Sequence, residues 1–210
     1  MKNLKKLPFI LSILSFLTLF TSANAEIKVV TSIKPIHSLA SYLMEGAGSP
    51  DLIVDGYASP HGFALKPSHA KMLQEADIIF YVGEGLENFL EKPLKSIAKK
   101  GEKIELMEIK GLNKLKFRER NIFDGHDDHG HDEDGHKEDD HDDHGHDEDG
   151  HKGHAHGEYD PHIWLDPENA KVILNEMVEH LIENDEKNAS IYKNNLNKAL
   201  KDVEKFLKSV

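Results

Sequence analysis

The chain has 210 residues, no cysteine and a formal net charge of -12. The missing sulfur excludes a disulfide framework, a thiolate zinc site, a thiol nucleophile and a lipidated cysteine start, so any metal must be held by His, Asp or Glu. The charge is local: residues 124–157 hold 14 acids against two lysines and ten of the 15 histidines, while the other 176 residues balance 24 acids with 24 bases.

In chain order, Lys2, Lys5 and Lys6 precede an apolar or hydroxyl run from Leu7 to Phe20, and Ala23-Asn24-Ala25 closes it with an A-x-A pattern. This is a secretory signal peptide over residues 1–25, cleaved after Ala25. Fourteen apolar residues reach about 21 Å as a helix, short of the roughly 30 Å of a bilayer core, so no membrane anchor is expected. With no lipidated cysteine, the mature chain is expected free in the periplasm.

Short β-branched runs then alternate with helix-length stretches. Strands are predicted over 27–32, 51–55, 77–82 and 103–108, and helices over 35–45, 68–75 and 86–99, the last interrupted near Pro93. This alternation predicts an α/β fold with a parallel-sheet lobe and flanking helices, whose ligands bind beyond the carboxyl ends of the strands. After the acidic run, Asp166-Pro167 is an N-cap followed by proline at the first helical position. A helix with Ile173, Leu174, Met177, Val178 and Leu181 on one face follows, and another begins near Ala189. The apolar stripe of that last helix still runs at Val210. The chain is therefore expected to stop inside a helix, as an incomplete molecule.

The acidic run is an internal duplication. Residues 124–137 recur at 139–152 with one difference, Gly125 against Asp140. With almost nothing apolar to bury, it cannot offset roughly 1 to 2 kcal/mol per residue of backbone ordering and is expected to be a disordered loop. Its histidines, His126, His129, His131, His136, His141, His144, His146, His151, His154 and His156, offer clustered imidazole nitrogens. Imidazole suits zinc, copper and nickel, whereas a plain acidic linker has no need of it. A calcium loop is a poor competitor, because position 130, where D-x-D-x-D-G needs an acid, is Gly130. The loop is expected to bind several ions weakly, as an auxiliary site.

Five histidines lie outside the run. His37 follows the first strand, His61 sits in the loop after the second, and His162 precedes the cap of a helix, so a parallel sheet can gather them at one edge. His69 and His180 fall in helical stretches beside charged residues and read as ordinary histidines.

Residues 55–68 (DGYASPHGFALKPS), continuing into 73–77 (LQEAD) and 82–87 (VGEGLE), resemble the zinc-specific solute-binding proteins of ABC importers. Residues 160–167 (DPHIWLDP) are similar to that family's second signature, and a His-rich acidic loop between the two is typical of its zinc members. The resemblance spans essentially the whole mature chain. It implies two α/β lobes joined by a long helix with the metal between them, and His61 and His162 as ligands of Zn2+. His37 is a candidate third ligand, since the second lobe, which would supply a further histidine and often a carboxylate, is absent; where some members carry an acid before the first ligand, this chain has Pro60.

The expected organisation is a signal peptide (1–25), an N-terminal α/β metal-binding lobe (26–123 and 158–188), the His/Asp-rich loop (124–157) and the start of a linker helix (189–210). The expected function is capture of Zn2+ and its delivery to an ABC permease in the inner membrane, by a monomer with no nucleic-acid partner. A free-standing zinc buffer acting through the loop, or a manganese or iron relative, is the alternative. No H-E-x-x-H occurs and no acid is placed as a hydrolase's general base would be, so an enzyme is not expected.

Overall fold

The computed structural model of the chain describes residues 26–117 and 158–209; the expected signal segment and the His/Asp run lie outside the described residues. Four parallel strands form one sheet in the order β2-β1-β3-β4: β1 (Val29–Ile33), β2 (Asp51–Val54), β3 (Ile78–Tyr81) and β4 (Glu102–Glu105). Every residue of β1 is buried, as a central parallel strand covered on both faces requires.

Helix α1 (Lys34–Met44) connects β1 to β2 and α2 (Pro67–Glu75) connects β2 to β3. Because the chain moves outward from β1 to β2 and then crosses back over β1 to β3, right-handed crossovers put α1 and α2 on opposite faces. Helices α4 (Pro167–Asn184) and α5 (Ala189–Leu207) pack with α1, while α2 packs with α3 (Glu91–Ser96). Ile36, Ala40, Leu43 and Met44 are the buried stripe of α1, at the spacing that puts side chains on one helix face. Burying the larger of these contributes about 1.5–3 kcal/mol each.

The helix α1 ends at a polar contact. Asn195 of α5 donates from Nδ2 to the carbonyl oxygens of Leu43 (3.0 Å) and Glu45 (2.8 Å), acceptors that a helix terminus leaves without intrahelical partners. Gly46 follows with φ +82°, the left-handed conformation in which glycine has no Cβ penalty.

The boundaries shift from expectation in two places. The predicted helix over 86–99 is a single helical turn over Asn88–Leu90 leading into the six-residue α3. Pro93 is tolerated there because it stands in the first turn, where its missing N–H is not needed. The predicted strand over 103–108 ends at Glu105, and a helical turn over Leu106–Glu108 replaces its second half.

Candidate metal centre

Two loops at the carboxyl-end side of the sheet carry His61 and His162. After β2 the chain enters a helical turn, Pro60–Gly62, whose N-cap Ser59 accepts from the His61 backbone N–H at 3.3 Å. His61 is exposed. Its loop is held from behind by Phe63, which packs on Phe89 (ring centroids 5.2 Å apart) and on His69 (5.4 Å). His69 is buried and accepts at Nδ1 from the Lys66 backbone N–H (3.1 Å), so it closes the start of α2. Burial pushes its imidazole below the ordinary value, aided by the Lys66 charge.

His162 is held more tightly. Its Nδ1 lies 2.6 Å from Asp160 Oδ1, and the same oxygen accepts from the His162 backbone N–H at 2.9 Å. That backbone hydrogen bond, reinforced by the one from the imidazole, holds the Asp160 carboxyl below the usual carboxylate range. With Nδ1–H committed to the carboxylate, the free electron pair of the neutral ring is on Nε2. A carboxylate oriented on one nitrogen of a histidine while the other faces a metal is the recurrent second shell of zinc sites. Trp164 packs against the His162 ring at 5.1 Å and restricts its rotation.

The segment bearing His162 is anchored by Asn169, which is buried and three times bonded. It accepts at Oδ1 from the Asn113 N–H (2.7 Å) and donates from Nδ2 to the carbonyls of Asn113 (2.9 Å) and Ile163 (3.0 Å). Asp166 caps α4 by accepting from the Glu168 N–H at 2.9 Å. A pocket of about 360 Å³ opens beside His162, lined by Leu115, Asp160, Leu165 and Asn169 among others.

The rings of His61 and His162 come together, with centroids 5.8 Å apart and planes inclined by 45°. Two imidazoles on one tetrahedral zinc, with bonds of about 2.0–2.1 Å, hold their centroids roughly 5 Å apart. The observed separation is close to that spacing. The third candidate, His37, is not brought to this pair. Its Nε2 lies 3.1 Å from the Pro50 carbonyl oxygen, just before β2, and its Nδ1 lies 3.4 Å from Ser41 Oγ, so hydrogen bonds within its own side of the fold engage both nitrogens. The ten histidines of the acidic run fall outside the described residues, but the ends of the stretch that contains them are joined. Lys116 and Tyr159 form an antiparallel bridge, and the Asp160 N–H donates to the Leu115 carbonyl at 2.8 Å. The described chain on the two sides of that stretch is thus joined three residues before His162.

Asp160, Asn169 and Phe63 were not singled out by sequence reasoning. The two-residue spacing in Asp160-Pro161-His162 was the available signal for Asp160, since an Asp side chain commonly accepts from the backbone N–H two positions on. Nothing local marks Asn169, whose main partner is 56 positions away.

The family model of ZnuA, the periplasmic component A of zinc-uptake complexes, matches residues 29–210. The high-affinity zinc uptake system protein ZnuA of Brucella abortus is 42% identical over the whole of this chain, which covers 67% of that protein, and the ZnuA of Paracoccus denitrificans is 37% identical over 86% of the chain, covering 55% of that protein. Among solved structures, the Zn(II)-bound ZnuA-like domain of Streptococcus pneumoniae AdcA aligns over 88% of this chain with a TM-score of 0.60 at 16% identity. A manganese-bound periplasmic metal-binding protein from Candidatus Liberibacter asiaticus aligns over 83% with a TM-score of 0.59 at 20% identity. The chain spans about half the length of these solved structures, 54% and 52% respectively, and at such identities they establish the fold. Among the described residues no helix is long and apolar enough to cross a membrane. The match over 182 of 210 residues and the relatives' identity establish that this chain belongs to the ZnuA family of periplasmic zinc-uptake components.

Proposed function

We propose that the chain is the periplasmic zinc-binding component of an ABC importer, exported by the signal peptide over residues 1–25, and that His61 and His162 are its first two Zn2+ ligands. The observation that carries this reading is the approach of the two rings to 5.8 Å with Asp160 already seated on His162 Nδ1. The pair supplies two of four tetrahedral positions. His37 is left out of the ligand set, because using it would break its bonds to Pro50 and Ser41.

In this reading Asp160 fixes the ring orientation and the tautomer before the ion arrives, so less ordering is lost on binding. The cleft then surrounds the ion with protein nitrogen and oxygen, which stores it, rather than leaving an open water for hydrolysis. Release to the membrane permease needs only loss of one ligand. Two imidazoles favour zinc over manganese, whose sites are richer in carboxylate. The His/Asp run collects ions weakly and, leaving the fold beside His162, raises their local concentration at the site. The alternating metal-binding lobe and the helix from Ala189 are then one half of a cleft that a second lobe closes.

The test is zinc titration of a variant lacking residues 124–157. Retention of one tight zinc, lost in His61→Ala and in His162→Ala, supports the reading. Loss of nearly all binding on removing the run would replace it with the buffer alternative.

A further inference from the structure

At the other end of α4 lies a second group of metal-ligating side chains. His180, on the last turns of that helix, has Nδ1 3.0 Å from Glu102 Oε1 and 4.0 Å from Glu183 Oε2. One atom from each of the three lies within 4.8 Å of the other two. Glu102 opens β4, so this group sits at the amino edge of the sheet, whereas His61 and His162 belong to loops on the carboxyl side. Thirteen residues of helix, about 20 Å, separate His180 from the start of α4.

The orientation of His180 is the unusual feature. Its Nε2 lies 3.4 Å from Glu176 Oε1, one helical turn back. Its Nδ1 is shielded from solvent and has no hydrogen-bond partner, although Glu102 Oε1 is only 3.0 Å away. The oxygen stands off the direction in which a ring proton would point. Two ligands of one tetrahedral ion stand in that relation, roughly 3.3 Å apart for bonds of 2.0–2.1 Å, because the ion and not the other ligand lies on the lone-pair axis. Asn184 Nδ2 donates to Glu102 Oε2 at 3.0 Å, orienting the carboxylate, and Glu176 on Nε2 repeats the carboxylate–histidine arrangement that Asp160 makes with His162. Phe80 packs edge-on beneath the ring, with centroids 6.5 Å apart, so the imidazole has a fixed floor.

We propose that His180 Nδ1, Glu102 and Glu183 form an additional binding site for a divalent cation of the zinc type, separate from the His61/His162 pair. Glu176 is its positioning residue. One imidazole nitrogen and two carboxylates suit zinc. Since Glu183 is largely exposed and Glu102 partly so, the ion has direct access from solvent. A bound ion ties the end of α4 to the start of β4, adding to the Asn184–Glu102 hydrogen bond and the His180–Glu102 approach.

The test is hydrogen–deuterium exchange of the full chain with and without ZnCl2 at neutral pH. The expected result is slower exchange over residues 102–105 and 176–184, by roughly tenfold when zinc is at ten times its dissociation constant. That slowing should vanish in the Glu102→Gln/Glu183→Gln variant and survive in His61→Ala/His162→Ala. No slowing in the parent, slowing that persists in Glu102→Gln/Glu183→Gln, or slowing that disappears in His61→Ala/His162→Ala would each overturn the proposal. Should the glutamine variant fail to fold, a zinc-soaked crystal of the parent decides: an anomalous peak bonded to His180 Nδ1 supports the site, and its absence overturns it.

Discussion

Replacing Asp160 tests whether His162 is held ready for a metal or merely packed. The carboxylate oxygen takes two hydrogen bonds from one residue, from the backbone N–H at 2.9 Å and from the ring at 2.6 Å. Asp160→Asn keeps an acceptor for both but removes the charge, so the ring keeps its orientation. Asp160→Ala removes the acceptor altogether and frees the ring to rotate or change tautomer, restrained by its ring contacts with Trp164 and His61. Loss of such outer-shell partners costs about 10- to 100-fold in metal affinity. The asparagine variant belongs near the lower figure and the alanine variant near the upper, about 1.4 and 2.7 kcal/mol. The assay is competition for zinc against a chromophoric chelator, in chain lacking residues 124–157 so that the ten histidines of the run do not contribute. A parallel 15N NMR measurement reads the His162 tautomer without metal: Nδ1–H in the parent, a tautomer mixture in Asp160→Ala. Affinity within twofold of the parent in both variants, with an unchanged tautomer in Asp160→Ala, would refute the orienting role.

Other consequences concern stability and pH. Asn195→Ala leaves the carbonyls of Leu43 and Glu45 without their side-chain donor and is expected to cost about 1–3 kcal/mol, read as a lower urea midpoint. Gly101→Ala would put a Cβ 2.7 Å from the Ala76 carbonyl oxygen, a backbone atom that cannot swing aside, so it should destabilise by more than about 1 kcal/mol, whereas alanine at Gly62 meets nothing within 4 Å and should be far milder. His69 resists protonation when folded, so below its ordinary value of 6.5 the unfolded chain takes up a proton that the folded chain does not. Stability should therefore fall as pH drops from 7 to 5, and His69→Gln, which can still accept from the Lys66 N–H, should flatten that fall in urea titrations at the two pH values.

The sequence by itself determined whatever depends on near neighbours. The alternation of β-branched runs and amphipathic stretches gave four strands and their helices, and Asp166-Pro167 gave the start of α4. The two motifs carrying His61 and His162 were legible for the same reason, as was the confinement of the charge to one duplicated run. The helix predicted over 86–99 failed at this level, because a six-residue α3 depends on the packing of Leu90 and Leu94 as much as on propensity. Tertiary structure decided which side chains meet. The sequence offered His61 and His162 as ligands and His37 as a candidate third; sheet order and crossover handedness bring His61 to His162 across 101 positions, while the fold of α1 against the start of β2 diverts His37 to Pro50. Likewise, His180 reads as one more charged-face histidine until the sheet brings Glu102 to it from 78 positions away. Periodicity records which face of an element is apolar, but a ligand set is fixed by lateral neighbours, and those are chosen only when the strands take their order.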